Sequence, residues 1–477
     1  MGGHASLLRL NQLIFPIILL AFLCLGLLGI DHSCLDAADS AYVISSDAIA
    51  RGLMPYRDFL AAHPPLLYMA GAPLAKLGLG VLPFRVFSLL VTAVLGLAVW
   101  RLAWGITRDS KTAILAGAFT LFAPLGLYFT KSFLNDSLVS LFAVCVLLLL
   151  SGRSRWRFIA AGVICVLGMM TKLTFLPVFV FTIVFIFVYR RNMNRIFLAV
   201  SIGGSILVTL AVQLLTQGAY LGNILGSQAS KGYSFTNFYE GLHRIWQIDW
   251  PLLVPAALGI WFVIRMLDAK EEPAREYRFL LLGWLVAAAL PLFTLAAEGH
   301  DTNLFLTAEP AIALFAAFGI AGLANKRSVT GIVLAAAWLI LAVPLMTERD
   351  SGFFFRSNSG DVATIVTEAR NRSTDCQPVL IPGCYALEAD RPVTLNFFDQ
   401  FLWEEKYKRG DDAAVAMMDD LRQELSEVKP PLAVFAENQP TLDIVGPELD
   451  ARYTLDWQSE VWPPVTMWVP QAEKKPG

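Results

Sequence analysis

Runs of apolar residues, separated by short polar segments, fill most of the chain up to about residue 347. A helix that crosses a bilayer needs about 20 mostly apolar residues, so this pattern predicts about 11 membrane-spanning helices. The predicted spans lie near residues 12–30, 86–104, 112–130, 133–151, 158–171, 173–189, 196–216, 250–266, 278–297, 304–325 and 329–347. Residues 158–189 are interpreted as two short helices that meet at Lys172, because one long helix would reverse the agreement of the later loops with the positive-inside rule.

Residues 64–80 are also apolar, but this segment is short and contains several Pro and Gly residues. We interpret it as an interfacial or re-entrant segment, because irregular backbone at membrane depth needs protein or a water-filled cavity around it. It ends the first outer loop, which is predicted to cover residues 31–85 and to contain an amphipathic helix.

The C-terminal part of the chain has a different pattern. Met418, Leu421, Leu425 and Val428 follow the 3.6-residue period of a helix, and a second helix is predicted around Ile365. Short apolar runs bounded by Pro or Gly predict strands. These runs are Val379–Ile381, Val393–Leu395, Leu432–Phe435 and Val465–Val469. The fold class is therefore a polytopic α-helical membrane domain, residues 1–347, followed by a small soluble α/β domain outside the cytoplasm, residues 348–477.

The composition supports this division. Hydrophobic residues make up 56% of the chain and charged residues 16%, with a mean hydropathy of +0.57, whereas a soluble domain has roughly 45–50% apolar and about 25% charged residues. Residues 1–347 hold 24 Lys and Arg against 16 Asp and Glu, whereas residues 348–477 hold 13 against 23. A nucleic-acid-binding protein, a disulfide-rich secreted protein and a cytosolic enzyme are therefore excluded as leading interpretations.

The distribution of positive charge predicts the orientation. With the N-terminus in the cytoplasm, 16 Lys and Arg residues lie in cytoplasmic loops and eight on the other side, as the positive-inside rule requires. An odd number of spans then places the C-terminal domain outside. The first apolar run is about as long as a span and longer than the apolar part of a signal peptide, so we interpret it as an uncleaved anchor.

Two cysteines, Cys376 and Cys384, fall in the predicted outer domain. If the residues between them are extended, their Cα atoms lie about 25 Å apart at 3.3 Å per residue, beyond the range of a disulfide bond. Only a turn at Pro382-Gly383 would bring them close enough, and we expect no bond between these two residues.

Polar residues at the outer ends of the apolar helices are the candidates for chemistry. Asp36 and Asp39 are three residues apart, so on a helix they share a face, which Tyr42 continues. The other candidates at this membrane face are Arg57, Asp58, His63, Lys131, Asp136, Lys172 and His300. A single acid in an outer loop ordinarily caps a helix or is solvated. A set of acids beside basic residues favours a phosphate site instead, with Arg57, Lys131 and Lys172 as its cations, although a lysine at a helix end also contacts lipid headgroups.

In this order along the chain, the candidate residues resemble the GT-C glycosyltransferases, in particular the glycosyltransferase-39/83-like group. That group includes protein O-mannosyltransferases, aminoarabinose transferases and rhizobial galacturonosyltransferases. The resemblance covers roughly residues 10–347. It rests on the acidic loop with Tyr42, then Arg51-Gly52, Pro55-Tyr56-Arg57-Asp58-Phe59, His63-Pro64-Pro65-Leu66, Asp136, Thr171-Lys172, and His300 before Glu309-Pro310.

The resemblance implies an inverting transferase that moves a sugar from a polyprenyl-phosphate donor to a glycan, lipid or protein acceptor on the outer face of a bacterial inner membrane. Relatives carry adjacent Asp-Glu before the amphipathic helix, where this chain has Ala38 and Asp39. The implied general base is therefore Asp39 or Asp36. His63 stands where relatives have the lysine near the donor phosphate, and Asp136 matches their second acid. No cofactor is implied with certainty, and a divalent cation is left open because relatives differ in metal use.

Two other functions are compatible with the pattern. A transporter or flippase of lipid-linked sugars would suit many spans with polar residues, but transporters place charges near the bilayer midplane and often have repeated halves. An inactive GT-C scaffold would explain Ala38. Sugar transfer from a lipid donor would distinguish the enzyme from both.

Overall fold

The computed structural model describes most of the chain, and the membrane part is helical. The described residues are 2–28, 30, 37–229, 232–266, 272–297, 302–324, 359–375, 377–381, 383–396, 400–408, 410–436, 440–458 and 465–471. The helices up to residue 324 are α1 (Gly2–Leu28), α2 (Ala37–Ala50), α3 (Leu66–Ala75), α4 (Leu82–Thr107), α5 (Ser110–Leu121), α6 (Pro124–Phe129), α7 (Asn135–Leu150), α8 (Arg155–Met169), α9 (Leu176–Tyr189), α10 (Asn194–Leu198), α11 (Gly204–Leu215), α12 (Ala219–Ala229), α13 (Phe235–Met266), α14 (Glu272–Ala289) and α15 (Glu309–Ala324). Short 3₁₀ helices cover Leu173–Phe175, Arg191–Met193, Leu290–Ala296 and Thr302–Thr307, and a π-helical turn covers Ala199–Gly203.

The chain divides into two compact units. One consists of Met1–Ile30, Val86–Ala211 and Gly232–Arg356, and the other of Asp31–Arg85, Val212–Lys231 and Ser357–Gly477. The first outer loop thus belongs to the same unit as the C-terminal residues. The domain boundary predicted near residue 347 lies outside the described residues and stays a prediction.

Several helices are suited to a bilayer. Within the described residues, four segments are long and apolar enough to cross one: Leu82–Thr107, Arg191–Leu215, Phe235–Arg265 and Ala274–Ala296. Shorter apolar helices cover Leu13–Leu27, Leu66–Ala75, Asn135–Leu150, Leu173–Tyr189 and Glu309–Leu323. The chain is therefore a multi-pass membrane protein, while the predicted number of about 11 spans stays a prediction. The span predicted at 329–347 lies outside the described residues.

Two helix breaks bear on the site. The single helix expected over 112–130 is interrupted, since α5 ends at Leu121 and α6 begins at Pro124. A proline cannot donate a helical hydrogen bond but fits the first turn of a new helix. The break predicted at Lys172 is confirmed, since α8 ends at Met169 and a 3₁₀ turn precedes α9. The segment interpreted as interfacial contains the ten-residue helix α3.

The C-terminal residues form a small α/β structure. Its helices are α16 (Ser359–Arg372), α17 (Gly383–Ala389), α18 (Gln400–Lys408), α19 (Asp412–Gln423) and α20 (Pro440–Arg452), with a 3₁₀ turn at Thr394–Asn396 and a π-helical turn at Glu424–Val428. Its strands are β1 (Ala433–Ala436), β2 (Tyr453–Gln458) and β3 (Val465–Pro470). The sheet is antiparallel in the order β1-β3-β2.

The sequence predicted this part in outline. Ile365, Met418, Leu421 and Leu425 lie in the core, on the expected helices. The strands predicted at 432–435 and 465–469 are confirmed. The runs at 379–381 and 393–395 form only isolated bridges, because the second run turns into the 3₁₀ helix directly after Val393. The sequence analysis missed β2.

Cys384 takes part in a disulfide bond. Among the described cysteines, Cys24, Cys145 and Cys165 are free. Cys34 and Cys376 lie outside the described residues, so the expectation that Cys376 and Cys384 do not pair stays a prediction.

Candidate active site

Asp39 forms a buried ion pair with Arg85. Asp39 lies in the first turn of α2, where the helix dipole favours a carboxylate, and Arg85 lies in the first turn of α4. The two arginine Nη atoms donate to the two carboxylate oxygens, each at 2.6 Å, and both residues are 0% exposed. This bidentate geometry fixes the orientation of the carboxylate. The sequence analysis missed Arg85, although a charge so near the start of an apolar helix is a signal for a buried partner.

Aromatic side chains surround the next turn of α2. The Tyr42 ring contacts the His63 ring edge-to-face, with centroids 5.8 Å apart, and contacts the Tyr68 ring in the same way at 5.7 Å. The Tyr56 hydroxyl donates to the backbone oxygen of His63 at 2.6 Å. Burial raises the pKa of Tyr56 well above its ordinary value, so this hydroxyl remains a donor. The structure thus brings together Tyr42 and His63, which the sequence analysis had named separately.

Arg57 and Asp58 form an ion pair within the loop between α2 and α3. The Arg57 guanidinium donates to both Asp58 oxygens, at 2.7 and 2.8 Å, and Asp58 accepts the Met54 N–H at 2.7 Å. The hydrogen bond from Arg57, with that of Met54, lowers the pKa of Asp58 to about 2. Tyr56 has a φ of +68° in this turn. Arg57 was predicted as a phosphate contact, but here its charge is balanced by the residue next to it.

In the other unit, Asp136 forms a second buried ion pair. The Lys172 ammonium donates to both Asp136 oxygens, at 2.9 and 2.8 Å, and the Asn303 amide donates to one of them at 3.0 Å. Asp136 is 0% exposed. The break between α8 and α9 places Lys172 here, and the 3₁₀ helix Thr302–Thr307 places Asn303. The structure therefore joins two predicted residues and adds Asn303, which no sequence signal indicated.

Polar atoms near this pair have no hydrogen-bond partner. They are both amide atoms of Asn135 and the hydroxyls of Thr174 and Thr307. Each residue lies on a segment that carries Asp136, Lys172 or Asn303. Buried polar groups are satisfied in more than about 90% of cases, so three exceptions on these segments mark the region as one that can accept a polar ligand.

A pair of carboxyl groups lies in the same unit. Asp249, on α13, accepts the Leu125 N–H at 3.2 Å, and Glu309, at the start of α15, accepts the Gly126 N–H at 2.8 Å. The two carboxyls interact with each other, and two buried carboxyls this close favour a proton on one of them. They hold the start of α6 against α13 and α15. The sequence analysis did not name Asp249.

The other predicted site residues are less informative. Lys131 is buried at 3% exposure, on the segment between α6 and α7. Asp36 and His300 lie outside the described residues. Within the described part of the chain, no group of three or more His, Cys, Asp or Glu side chains is placed to hold a metal ion.

Comparisons with known proteins identify the fold. No model of a protein family matches the sequence, and no curated protein matches it. Several solved structures match over most of this chain. ArnT from Cupriavidus metallidurans, bound to undecaprenyl phosphate, matches with a TM-score of 0.56 at 15% identity, over 97% of this chain and 98% of ArnT. The oligosaccharyltransferase AglB from Archaeoglobus fulgidus, in complex with an inhibitory peptide and a dolichol-phosphate, has a TM-score of 0.55 at 11% identity, over 89% of this chain and 69% of AglB.

The third structure is the arabinofuranosyltransferase AftD from Mycobacteria, with a TM-score of 0.51 at 13% identity, over 97% of this chain but 40% of AftD. All three have the GT-C fold of membrane glycosyltransferases. The chain therefore has this fold, and the resemblance drawn from its sequence is confirmed at that level.

Proposed function

We propose that this GT-C-fold protein is an inverting glycosyltransferase that moves a sugar from a polyprenyl-phosphate donor to an envelope acceptor. The observation that carries the proposal is the buried Asp39–Arg85 pair, which joins the helix within the first outer loop to the end of that loop. A buried carboxylate held by a bidentate arginine is costly to build without a function, and its position is that of the base implied by the resemblance.

In the proposed reaction, Asp39 accepts the proton of an acceptor hydroxyl. The acceptor oxygen forms a bond to the anomeric carbon of the sugar from one side. On the other side the bond between this carbon and the phosphate oxygen breaks, and the electron pair leaves with the polyprenyl phosphate. Direct displacement inverts the anomeric centre. A carboxylate base contributes typically 10²–10⁴-fold to such a step. Arg85 acts through Asp39, which it orients. Asp36 is the alternative base.

The donor is proposed to be lipid-borne. Nucleotide sugars are not available outside an inner membrane, whereas ArnT and AglB were solved with undecaprenyl phosphate and dolichol-phosphate. A leaving phosphate needs cationic or hydrogen-bonding groups. His63 stands where relatives have the lysine near the donor phosphate. We therefore assign the phosphate contact to His63, in preference to Arg57, whose charge is balanced by Asp58.

The Asp136–Lys172–Asn303 group is proposed to bind sugar hydroxyls. An ammonium has three donors, of which Asp136 takes two. The unpartnered amide of Asn135 can both donate to and accept from a hydroxyl. Such a neutral, polar set suits a saccharide better than an isolated charge would.

We further propose that the protein lies in a bacterial inner membrane with its N-terminus in the cytoplasm. The first outer loop and the C-terminal domain then face outwards, where His300 would also lie. This orientation follows from the distribution of Lys and Arg in the sequence.

The test is a comparison of envelope glycans by mass spectrometry in a deletion strain complemented with variants. The double variant Asp39→Asn/Arg85→Gln removes both charges, so no single charge is left buried. We expect it to reach the membrane in normal amounts and to fail to restore the missing sugar. The matched control is Asp47→Asn/Arg51→Gln, which removes the partly exposed ion pair at the other end of α2, 2.7 Å long, and should restore the sugar fully.

Full activity of the Asp39→Asn/Arg85→Gln variant would remove Asp39 as the base, and an added Asp36→Asn substitution would then test the alternative. A glycan profile that does not change on deletion, in a strain without a second related gene, would refute the transferase.

A further inference from the structure

A dense group of arginines lies at the ends of α7, α8 and α9. Residues 151–200 contain seven Lys and Arg and no Asp or Glu. Six of the seven are arginines at these helix ends: Arg153, Arg155, Arg157, Arg190, Arg191 and Arg195. Arginine binds phosphate through two parallel N–H bonds, which lysine cannot do.

These arginines lie at the opposite ends of the helices from Asp136 and Lys172. Asp136 is at the start of α7 and Lys172 follows α8, whereas Arg153 joins α7 to α8 and Arg190 ends α9. With 15 residues, α8 is about 22 Å long at 1.5 Å per residue. The arginine group is therefore at the opposite ends of these helices from the Asp136–Lys172–Asn303 group, and distinct from it.

One carboxylate holds two of the guanidinium groups. Arg190 donates to both oxygens of Glu276, from α14, and Arg153 lies 3.7 Å from the same carboxylate. Glu276 can balance only one of the two charges. Arg190 is 8% exposed, and its Nε atom is buried with no hydrogen-bond partner. The Arg153 side chain is 76% exposed. The exposed Arg153, whose charge Glu276 does not balance, and the exposed Arg191 next to Arg190 leave a positive surface open to an anion.

Apolar stripes run along the helices from these arginines. Val180, Val184 and Phe187 are exposed on one face of α9, at helical spacing, and the same spacing leads to Arg191. Trp156, Ile159 and Val163 form a similar exposed face that begins at the N-terminus of α8. Tryptophan is typical of the membrane boundary. Each stripe thus has the layout of a phospholipid, with a phosphate position next to an acyl-chain position.

We propose that the exposed Arg153 and Arg191 form a binding site for the headgroup of an anionic glycerophospholipid, next to the buried Arg190–Glu276 pair. The phosphate accepts hydrogen bonds from the guanidinium groups, while the acyl chains lie along the exposed faces of α8 and α9. The lipid headgroup would join the end of α9 to the α7–α8 turn at the protein surface. Glu276 of α14 joins the same two segments in the interior. The site does not depend on the proposed transferase activity.

Native mass spectrometry of the purified full-length protein tests this site, with phosphatidylglycerol and phosphatidylcholine added separately. We expect saturable binding of phosphatidylglycerol and at least tenfold weaker binding of phosphatidylcholine. In Arg153→Gln/Arg191→Gln, phosphatidylglycerol should bind about 30-fold more weakly, since each arginine near an anionic surface contributes about fivefold. Arg153→Lys/Arg191→Lys should lose a smaller part of the affinity for phosphatidylglycerol, because the charge remains but the bidentate contact does not.

The chain provides a matched control. Arg101 follows the exposed Leu90, Val94 and Leu97 of α4 at the same spacing as the stripe on α9. The variant Arg101→Gln/Arg108→Gln removes two arginines without touching the group around Glu276, and it should bind phosphatidylglycerol like the wild type.

Equal loss in both double variants would overturn the proposal, because it would mean that only general surface charge matters. Equal binding of both lipids, or displacement of phosphatidylglycerol by millimolar inorganic phosphate, would also overturn it. Size-exclusion profiles and thermal unfolding of each variant show whether a variant that binds the lipid weakly is still folded.

Discussion

Breaking the Asp39–Arg85 pair from one side should destabilise the protein far more than removing both charges. In Asp39→Asn the guanidinium remains buried, and in Arg85→Gln the carboxylate does. Leaving one charge of a fully buried pair costs about 3–5 kcal/mol. In the double variant two amides face each other, no charge is buried, and most hydrogen bonds can be kept. We therefore expect the double variant to be more stable than either single variant, with a coupling free energy near 3 kcal/mol, the upper end of the usual range.

Thermal unfolding of the full-length protein in nanodiscs, followed by tryptophan fluorescence, gives the order of the three variants. Asp47→Asn and Arg51→Gln are the reference, because this pair is partly exposed, with Arg51 at 44% side-chain exposure, and such pairs contribute about 1 kcal/mol or less. If Asp39→Asn and Arg85→Gln are no less stable than these, or if their effects simply add, the reasoning from burial is refuted. If Asp39→Asn is as stable as the reference variants, its inactivity would mean lost chemistry and not a lost fold.

Gly80→Ala should destabilise the protein about 1–2 kcal/mol more than Gly78→Ala in thermal unfolding. Both glycines have positive φ, but only a Cβ at position 80 would meet a glutamate carboxylate that accepts a backbone N–H; equal losses would contradict this. Asp249→Asn should be as stable as the wild type, since the amide accepts from Leu125 and donates to the other carboxyl, whereas Asp249→Ala should cost about 1–3 kcal/mol; an unstable Asp249→Asn would argue against a shared proton. Asp58 has its pKa lowered from 3.8 to about 2, so its stabilising effect is complete above about pH 4 and is lost as the pH falls towards 2. Unfolding temperatures measured between pH 2 and 6 should show this loss in the wild type and not in Asp58→Asn.

The sequence by itself determined the membrane class, the GT-C resemblance and several helix boundaries. These features are local, since apolar length, proline and charge each act within a few residues. The break at Lys172 followed from two apolar runs on either side of one lysine, together with the distribution of Lys and Arg in the later loops. The helices around Met418 and the strands at 432–435 and 465–469 followed from periodicity in the same way. Of the candidate site, the sequence supplied Asp39, Tyr42, His63, Asp136 and Lys172.

Only the tertiary structure decided how these residues are paired. Arg85 is 46 positions from Asp39, and Asn303 is 167 positions from Asp136, so no pattern within a helix connects them. The same holds for Asp249 and Glu309, whose carboxyls meet through two helices far apart in the chain. Pairing also changes which arginines are available to a ligand. The sequence predicted Arg57 as a phosphate contact, but Asp58 balances its charge. Arg190 and Arg153 share the carboxylate of Glu276. A charge is recognised from composition, but its partner, and hence whether it is available to a ligand, depends on which distant segments the fold brings together.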